Sequence, residues 1–432
     1  NQTVSVLKVN VEVYEEDMVV TAILKTQDGQ LITGNVTLEI NTKYYKIVVV
    51  DGIGVRSIEK PSVGKYTYSA TYKGTDKISR AVDTGVFEVL PVDYNVILNA
   101  PDVKMIYHDG TRFVATLTDK QGNPIGGAAI EIIINGRSYD KITDEKGSVS
   151  LGLNLDSGIY SVVVKFKGLP NYSPITKHAN VTIEPTVKGL DVVKMFRNST
   201  QYYAIFTDSQ GNFLKNKNVQ FNINGVFYTK TTNDKGIAMM GINLNPGKYI
   251  ITAKNLVTGE QSSNIITVKS LIVQKDLTKY YLNASRFEAT IYNKDGSLAV
   301  NKEVTFNING VFYHRTTDSN GVASLGISLR PGEYIITTMF DGLAIGNKVT
   351  VLPTLVTKNL NMKYLDGSSF TAQTLDGQGK PLANQNVSFN VNGVFYYKVT
   401  DNNGMAKLNI RLMHGEYIIT SCWNNFQTGN TI

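Results

Sequence analysis

The sequence contains few of the residues that build disulfide frameworks, metal centres and membrane spans. Its 432 residues include one cysteine, Cys422, and four histidines. A single cysteine excludes an internal disulfide framework, and no Cys/His spacing of the kind that brings several metal ligands together is present. The longest apolar runs are far too short for a membrane-spanning helix. No stretch carries the i, i+3, i+4, i+7 apolar spacing of an amphipathic helix, which disfavours helical folds.

The dominant feature of the sequence is an internal repeat of about 85 residues. The segment VTFNINGVFYHRTTDSNGVASLGISLRPGEY at 304–334 returns at 219–249 and at 387–417, and a looser copy lies at 130–160. Tandem copies of this length predict a string of similar modules rather than one large core. Five units follow from this spacing.

Each copy is predicted to be β structure. An Asn-Gly pair, as in Asn309-Gly310, separates two short runs of alternating apolar residues, and this pair favours the type I′ turn of a β-hairpin. The Asp318–Gly321 cluster predicts a second turn, after which apolar and small or polar residues alternate as in a strand with one buried face. The spacing L-x-P-G-x-Y, which ends at Tyr334, resembles the tyrosine corner of sandwich domains, in which the tyrosine bonds back to the preceding corner.

We therefore predict an all-β fold, a tandem array of immunoglobulin-like β-sandwich domains that forms an elongated rod. The first unit diverges most, with Tyr44-Tyr45 where other copies carry the Asn-Gly hairpin, and the second has a long loop before its last strand. The predicted boundaries of the five units, called repeats one to five below, are 1–91, 92–185, 186–270, 271–353 and 354–432.

Positive charge is concentrated in one repeat. The net charge of the whole chain is +7, and repeat three alone has ten Lys and Arg against four Asp and Glu. A basic patch of this size can attract anionic polymers without specificity. Nucleic-acid readers add a recognisable motif, which the sequence lacks, so no nucleic-acid partner is expected.

The run FNINGVFY, followed by TTD-x-NG and L-x-PG-x-YIIT, resembles the immunoglobulin-like repeats of adhesin-like cell-surface proteins of methanogenic archaea. The wider layout is similar to the immunoglobulin-like repeats of bacterial invasin-type adhesins. The resemblance is strong over 186–432, fair over 92–185 and weak over 1–91. It implies an extracellular, cell-wall-associated protein that attaches to other cells, surface glycans or a cell-wall polymer, and it names no ligand.

Two loops that depart from the repeat are the candidate ligand-binding sites, because scaffolds usually place recognition on variable loops. Aromatic faces suit both sugars and protein pockets. The alternative is that these loops only pack against a neighbouring module. The first loop contains Pro170, Asn171, Tyr172 and Pro174, and the second contains Trp423 and Phe426.

A self-formed Lys–Asn isopeptide cross-link is a further candidate. Lys194 and Lys279 lie in an opening strand, and Asn264 and Asn347 begin the closing strand of the same repeats. Repeat five has Met362 at the lysine position, and no buried carboxylate recurs to promote the reaction, so ordinary strand-end residues are the simpler interpretation. Intact mass decides between them, since each bond loses one ammonia.

Catalysis, metals and cofactors are not expected. The positions of His108, His314 and His414 hold Leu365, Thr229 and Pro331 in other copies, and that of Cys422 holds Lys254 and Met339. No site therefore recurs with the repeat. The Asp/Asn/Gly loops lack the ligand series of a full calcium cage, and turn chemistry accounts for them.

The sequence predicts a non-catalytic cell-surface adhesin, a monomeric rod and a piece of a longer protein. One alternative is a structural stalk or spacer whose binding head lies outside this fragment. Another is an accessory β array of a cell-wall-acting enzyme.

Overall fold

The computed structural model describes residues 2–91 and 93–432, and within these residues all regular structure is β. The all-β sandwich fold predicted from the repeat is confirmed. Repeat one contains β1 (Ser5–Val13), β2 (Asp17–Thr26), β3 (Gly34–Ile40), β4 (Lys43–Val49), β5 (Ile53–Glu59), β6 (Gly64–Tyr72) and β7 (Ala81–Val89). Repeat two contains β8 (Val96–Asn99), β9 (Val103–Ile106), β10 (Arg112–Asp119), β11 (Ala129–Ile134), β12 (Arg137–Ile142), β13 (Ser148–Gly152), β14 (Gly158–Phe166) and β15 (Ile175–Glu184).

The remaining strands follow the same order. Repeat three contains β16 (Val187–Gly189), β17 (Val192–Met195), β18 (Gln201–Phe206), β19 (Asn218–Ile223), β20 (Val226–Thr231), β21 (Ile237–Gly241), β22 (Gly247–Lys254) and β23 (Gln261–Lys269). Repeat four contains β24 (Ile272–Gln274), β25 (Leu277–Tyr280), β26 (Arg286–Ile291), β27 (Glu303–Ile308), β28 (Val311–Thr316), β29 (Val322–Gly326), β30 (Gly332–Phe340) and β31 (Leu343–Leu352). Repeat five contains β32 (Leu355–Thr357), β33 (Ser369–Thr374), β34 (Asn386–Val391), β35 (Val394–Val399), β36 (Met405–Asn409), β37 (Ile418–Trp423) and β38 (Phe426–Thr431).

The strands form a smaller and a larger sheet in each of repeats one, two, four and five. In repeat one the strand orders are β1-β2-β5 and β4-β3-β6-β7; in repeat two they are β13-β10-β8 and β12-β11-β14-β15-β9. Repeat four has β24-β26-β29 and β25-β31-β30-β27-β28, and repeat five has β32-β33-β36 and β35-β34-β37-β38. Neighbours in these orders are antiparallel, except that β9 and β25 run parallel to the closing strands β15 and β31.

By tertiary contacts the chain divides into two compact units. One contains the described residues of 1–190, 203–239 and 251–263, and the other contains residues 191–202, 240–250 and 264–432. Repeat three contributes to both: β16 pairs with β18 and β19 pairs with β20 and β22 in the first unit, and β17 pairs with β23 in the second. The five domain boundaries therefore stay a prediction.

A pair of buried phenylalanines joins the two layers of strands in each of the last three repeats. The ring centroids of Phe287 and Phe306 lie 6.0 Å apart, and those of Phe370 and Phe389 lie 5.8 Å apart, both edge to face. In repeat three, Phe206 and its partner on β19 lie 6.2 Å apart. Full burial of such a side chain contributes roughly 1.5–3 kcal/mol, so each pair adds to the stability of its own repeat.

The Asn-Gly hairpins form as predicted in repeats two to five. The asparagines Asn135, Asn224, Asn309 and Asn392 have φ angles of 49°, 53°, 52° and 51°, and each following glycine is also at positive φ. The prediction for repeat one needs correction. Its hairpin turns at Asn41-Thr42, with φ of 48° and 62°, and Tyr44 and Tyr45 follow within β4. The turn was missed because threonine at positive φ is uncommon.

The tyrosine corner is present in all five repeats. Each tyrosine hydroxyl donates to the carbonyl oxygen four residues earlier, including the divergent copies without the full L-x-P-G-x-Y spacing. The bonds run from Tyr66 to Ser62 (2.5 Å), Tyr160 to Asp156 (2.7 Å), Tyr249 to Asn245 (2.7 Å), Tyr334 to Arg330 (2.8 Å) and Tyr417 to Met413 (2.9 Å). The corner is thus a property of the fold and not of the proline.

Candidate binding surface

The outer face of the sheet that contains the Asn-Gly or Asn-Thr hairpin carries an exposed aromatic side chain in four of the five repeats. The residue lies on the strand that follows the hairpin turn, and this strand ends the sheet order in repeats one, four and five. The exposed fractions are 66% for Tyr44, 63% for Phe227, 60% for Phe312 and 58% for Phe395. Large aromatic side chains left this open, at the same place in successive repeats, mark a candidate interaction surface.

Strand pairing places a line of polar residues beside each of these rings, and we call each line an aromatic row. In repeat four, Phe312 lies opposite Asn307, which lies opposite Thr337, which lies opposite Gly346. The rows are Tyr44, Glu39, Ser69 and Thr84 in repeat one; Phe227, Asn222, Thr252 and Ser263 in repeat three; Phe312, Asn307, Thr337 and Gly346 in repeat four; and Phe395, Asn390, Thr420 and Gly429 in repeat five.

The rows of repeats three to five contain no charged side chain. Their asparagines and threonines are half-buried within the sheet face. Thr252 and Ser263 share a hydrogen bond of 2.8 Å between their hydroxyls, and Asn390 accepts the Gly393 N–H at 3.2 Å. Amide and hydroxyl groups both donate and accept, so the face suits a neutral polar ligand with an apolar side.

The row of repeat one differs in charge and shape. Glu39 takes the place of the asparagine, and it accepts a hydrogen bond from the Tyr44 hydroxyl at 3.2 Å. That bond raises the pKa of Tyr44 above its ordinary value. Glu39, Ser69 and Thr84 line a groove of about 590 Å³ on this face.

Repeat two lacks an aromatic row. Its corresponding positions are Ser138, Ile133, Val163 and His178. His178 bonds to Ser161 (Nε2 to Oγ, 2.7 Å), and its Nδ1 lies 3.4 Å from a carboxylate oxygen of Asp17 in repeat one. This face of repeat two therefore packs against the preceding repeat.

The first predicted binding loop is held against its own repeat. Asn95 donates to the Asn171 carbonyl at 2.9 Å and accepts the Ser173 N–H at 2.7 Å. Tyr172 is half-buried and packs on the core of repeat two, whereas Pro170 and Pro174 are exposed. The tyrosine ring that was predicted to bind a ligand packs on the core, and Pro170, Asn171 and Pro174 remain exposed.

The second predicted binding site packs in a similar way. Trp423 and Phe426 flank the turn between β37 and β38 and are both half-buried against the core of repeat five. The Trp423 Nε1–H donates to Gln385 Oε1 at 3.3 Å, and the Phe426 ring lies 5.6 Å from that of Tyr281 in repeat four. These contacts match the alternative of packing against a neighbouring module. A ligand role for either loop stays a prediction.

The structure does not bring the cross-link candidates together. Lys194 lies opposite Val268 in the parallel pairing of β17 with β23, four residues beyond Asn264, or roughly 13 Å along the strand. Lys194 instead donates to the Ile242 carbonyl at 2.6 Å, and Asn264 donates to Asp191 at 3.1 Å.

Repeat four repeats this arrangement. Lys279 lies opposite Val351, again four residues beyond Asn347, and donates to the Ile327 carbonyl at 2.6 Å. Asn347 donates to Asp276 at 2.8 Å. Both lysines are buried, and the loss of water around them lowers their pKa. The cross-link stays a prediction for intact mass to test.

The Asp/Asn/Gly loops use their carboxylates for turn formation. Asp318 Oδ1 accepts the backbone N–H groups of Asn320 and Val322 at 2.9 Å, and Asp401 does the same for Asn403 and Met405. Within residues 2–91 and 93–432, no group of three or more His, Cys, Asp or Glu side chains is placed to hold a metal ion. In the same part of the chain no helix is long and apolar enough to cross a bilayer.

The sequence contains a signal for the aromatic rows in the regular part of the repeat, outside the irregular loops that were predicted to bind a ligand. Asn-Gly-Val-Phe-Tyr is identical in repeats three, four and five. Because side chains alternate across a strand, the phenylalanine and the tyrosine of this motif must face opposite ways, and only one can face the core. The polar members of each row could not be found, since they come from strands far apart in sequence.

Comparison with known proteins finds similarity to an adhesin, the kind of protein that the repeats resemble. No family model matches the chain. Over 414 residues it is 22% identical to the inverse autotransporter adhesin YeeJ of Escherichia coli strain K12, which covers 80% of this chain and 17% of that protein. The chain is similar to an adhesin. It spans about a sixth of the length of that relative.

Two solved structures show a looser likeness. One is a Ca²⁺-stabilized adhesin that helps an Antarctic bacterium reach out and bind ice, with 15% identity, coverage of 82% of this chain and 99% of that chain, and a TM-score of 0.19. The other is trypsin-activated alpha-2-macroglobulin from Escherichia coli, with 9% identity, coverage of 100% and 49%, and a TM-score of 0.30. TM-scores this low imply no function for this chain.

Proposed function

We propose that this chain is the repeat region of a cell-surface adhesin, a non-catalytic array that attaches its cell to other cells or surfaces. The observation that carries the proposal is the recurrence of an exposed aromatic on the outer sheet face in four of five repeats. Similarity to an adhesin over 80% of the chain supports it. The proposal includes an extracellular, wall-associated location, a monomeric rod and an archaeal source, which the resemblance of the repeats supports.

The mechanism of attachment in this proposal is additive. Each repeat offers a small surface, and a single surface of this size binds weakly. Several copies on one chain raise the effective concentration for the next contact, so the array binds far more tightly than one repeat. Stability is likewise a sum over repeats and their neighbouring contacts.

The test is retention of the full 432-residue chain on whole cells and on purified cell-wall polysaccharide. An unrelated β-sandwich protein of similar size and charge is the control for nonspecific adsorption. We expect saturable binding of the chain that the control protein does not show. Absence of saturable binding at high protein concentration would contradict an adhesive role and favour the spacer.

A further inference from the structure

We propose that the aromatic rows of repeats three, four and five bind a neutral glycan chain. The inference rests on the proposed adhesive function and names its ligand class. It assigns the site to the outer sheet face and not to the irregular loops. The inference is based on the arrangement of side chains along each row. One exposed ring is followed on the next strand by an amide, and on the two strands after that by hydroxyl or glycine positions.

The ring supplies the apolar part of the site. Phe312 is 60% exposed and lies beside the polar side chain of Asn307. Another exposed apolar side chain of this face, Ile335 at 64%, lies two residues from Thr337 along its strand. A pyranose ring has one apolar face of C–H groups and a rim of hydroxyls, and aromatic side chains suit ligands of this mixed character. Phe312 and Ile335 lie on strands that are separated by β27 and its Asn307, which favours a ligand of mixed polarity over a partner with one large apolar surface.

The next positions supply the polar part. Asn307 and Thr337 lie one and two strands away from Phe312, and their amide and hydroxyl groups both donate and accept hydrogen bonds, as sugar hydroxyls do. At the end of the row, a Cβ added at Gly346 would meet Ile335 Cγ2 at 3.5 Å, and one added at Gly429 would meet nothing within 4 Å. The absence of a side chain there leaves the far end of the row open.

The dimensions of the row suit a linear chain. Four strands spaced about 4.8 Å apart extend over roughly 14 Å, enough for a short oligosaccharide laid across the strands. The three rows have the same composition apart from the last position, where repeat three has Ser263 in place of glycine. One polymer with repeating sugar units could therefore be bound by more than one row.

Charge argues against two other ligands for this face, an anionic polymer and the sheet edge of a second copy of this chain. The rows of repeats three to five contain no charged side chain; Lys348, two residues beyond Gly346, is paired with Glu333 at 2.7 Å, and Lys254, two residues beyond Thr252, is the cation nearest to the row of repeat three on its strand. A cation follows each ring by three residues (Lys230, Arg315 and Lys398), so it points to the opposite face of the strand. Like charges at these strand edges also oppose pairing with the edge of a second copy of this chain.

The experiment measures binding of the full chain to immobilised neutral hexasaccharides of glucose, mannose and galactose, and to hyaluronate as an anionic polymer. Three substitutions are combined, Phe227→Ala, Phe312→Ala and Phe395→Ala. One such loss is expected to weaken binding about three- to tenfold, and the triple variant about a hundredfold or more as multivalency is lost. Binding to a neutral hexasaccharide should persist at about 0.5 M salt, where exposed charges are screened.

Two controls separate ring loss from misfolding. The triple Phe→Tyr variant keeps the rings, as Tyr44 does naturally in repeat one, and should bind as the wild type does. Tyr364→Ala removes a ring that is 56% exposed but lies outside the rows, and it should leave binding unchanged. Circular dichroism and thermal unfolding confirm that each variant is folded.

The outcomes distinguish this inference from the proposed function. Cell binding that the triple alanine variant retains in full would overturn the glycan assignment and leave the adhesin proposal intact. Binding to hyaluronate alone, lost at high salt, would also overturn it. If the wild-type chain binds no cells or wall material, the proposed function fails, whatever the hexasaccharides show.

Discussion

At the residue scale, the closing strand of several repeats is held by one side chain that accepts two bonds. In repeat four, Asp276 Oδ1 accepts the Asn347 amide and the Lys348 N–H, each at 2.8 Å. These bonds lower the pKa of Asp276, the side-chain bond from Asn347 being the largest cause. Repeat five uses Asn359 at the same place, where it accepts the Asn430 amide at 3.0 Å and the Thr431 N–H at 3.1 Å.

Because repeat four uses a carboxylate where repeat five uses an amide, we predict that the stability of repeat four depends on pH at this position. Because the pKa of Asp276 is lower in the folded state, its contribution to stability is present above the unfolded value of 3.8 and is lost as the pH falls through the folded pKa. Asp276→Asn should keep the two bonds, as Asn359 shows, and remove that pH dependence. The measurement is the Tm of the full chain between about pH 6 and pH 2.

The reciprocal variant is the control. Asn359→Asp should add a pH-dependent loss of Tm below about pH 4. Identical pH profiles for the wild type and both variants would show that the ionisation of Asp276 does not contribute to the stability of the closing strand.

At the scale of the element, the hairpin turns set the register of each larger sheet. Gly225 has φ of +73°, and a Cβ built there would meet no atom within 4 Å. A substitution would therefore act through backbone strain alone. A one-residue slip in this register would turn the row residues toward the core, so the turn also positions the candidate site.

Gly225→Ala should weaken the hairpin of β19 and β20 by about 1 kcal/mol. Hydrogen exchange of peptides covering 218–231 measures this as faster exchange in the variant. Gly241→Ala is the matched control, because that glycine does not have positive φ and its added Cβ would only reach Gln201 Nε2 at 4.0 Å. Equal protection in both variants would mean that the turn tolerates a side chain and does not limit the register.

The elements also show what the sequence could and could not predict. Asn-Gly pairs, period-two alternation and the L-x-P-G-x-Y spacing are local signals, and the strands, turns and tyrosine corners that they predict are present. The turn at Asn41-Thr42 has no such signal. The aromatic rows depend on which strands are neighbours, and Asn307, Thr337 and Gly346 come together only through pairings that loops of different length separate.

At the scale of the whole molecule, the repeats make specific contacts within each compact unit. In the first unit, Glu260 accepts the Thr186 N–H at 2.5 Å and also bonds to the Ser157 hydroxyl of repeat two. In the second, Asn283 of repeat four donates to the Gly377 carbonyl of repeat five at 2.6 Å. These contacts couple neighbours, and the cores of repeats one, two and five each contain residues of their own repeat only.

The account depends most on five separately folded sandwiches, and stretching single molecules of the full chain tests this directly. Each repeat of about 85 residues should release roughly 300 Å of contour length when it unfolds. We predict five force peaks with this spacing. Two larger steps, matching the two compact units, would contradict the five-module account.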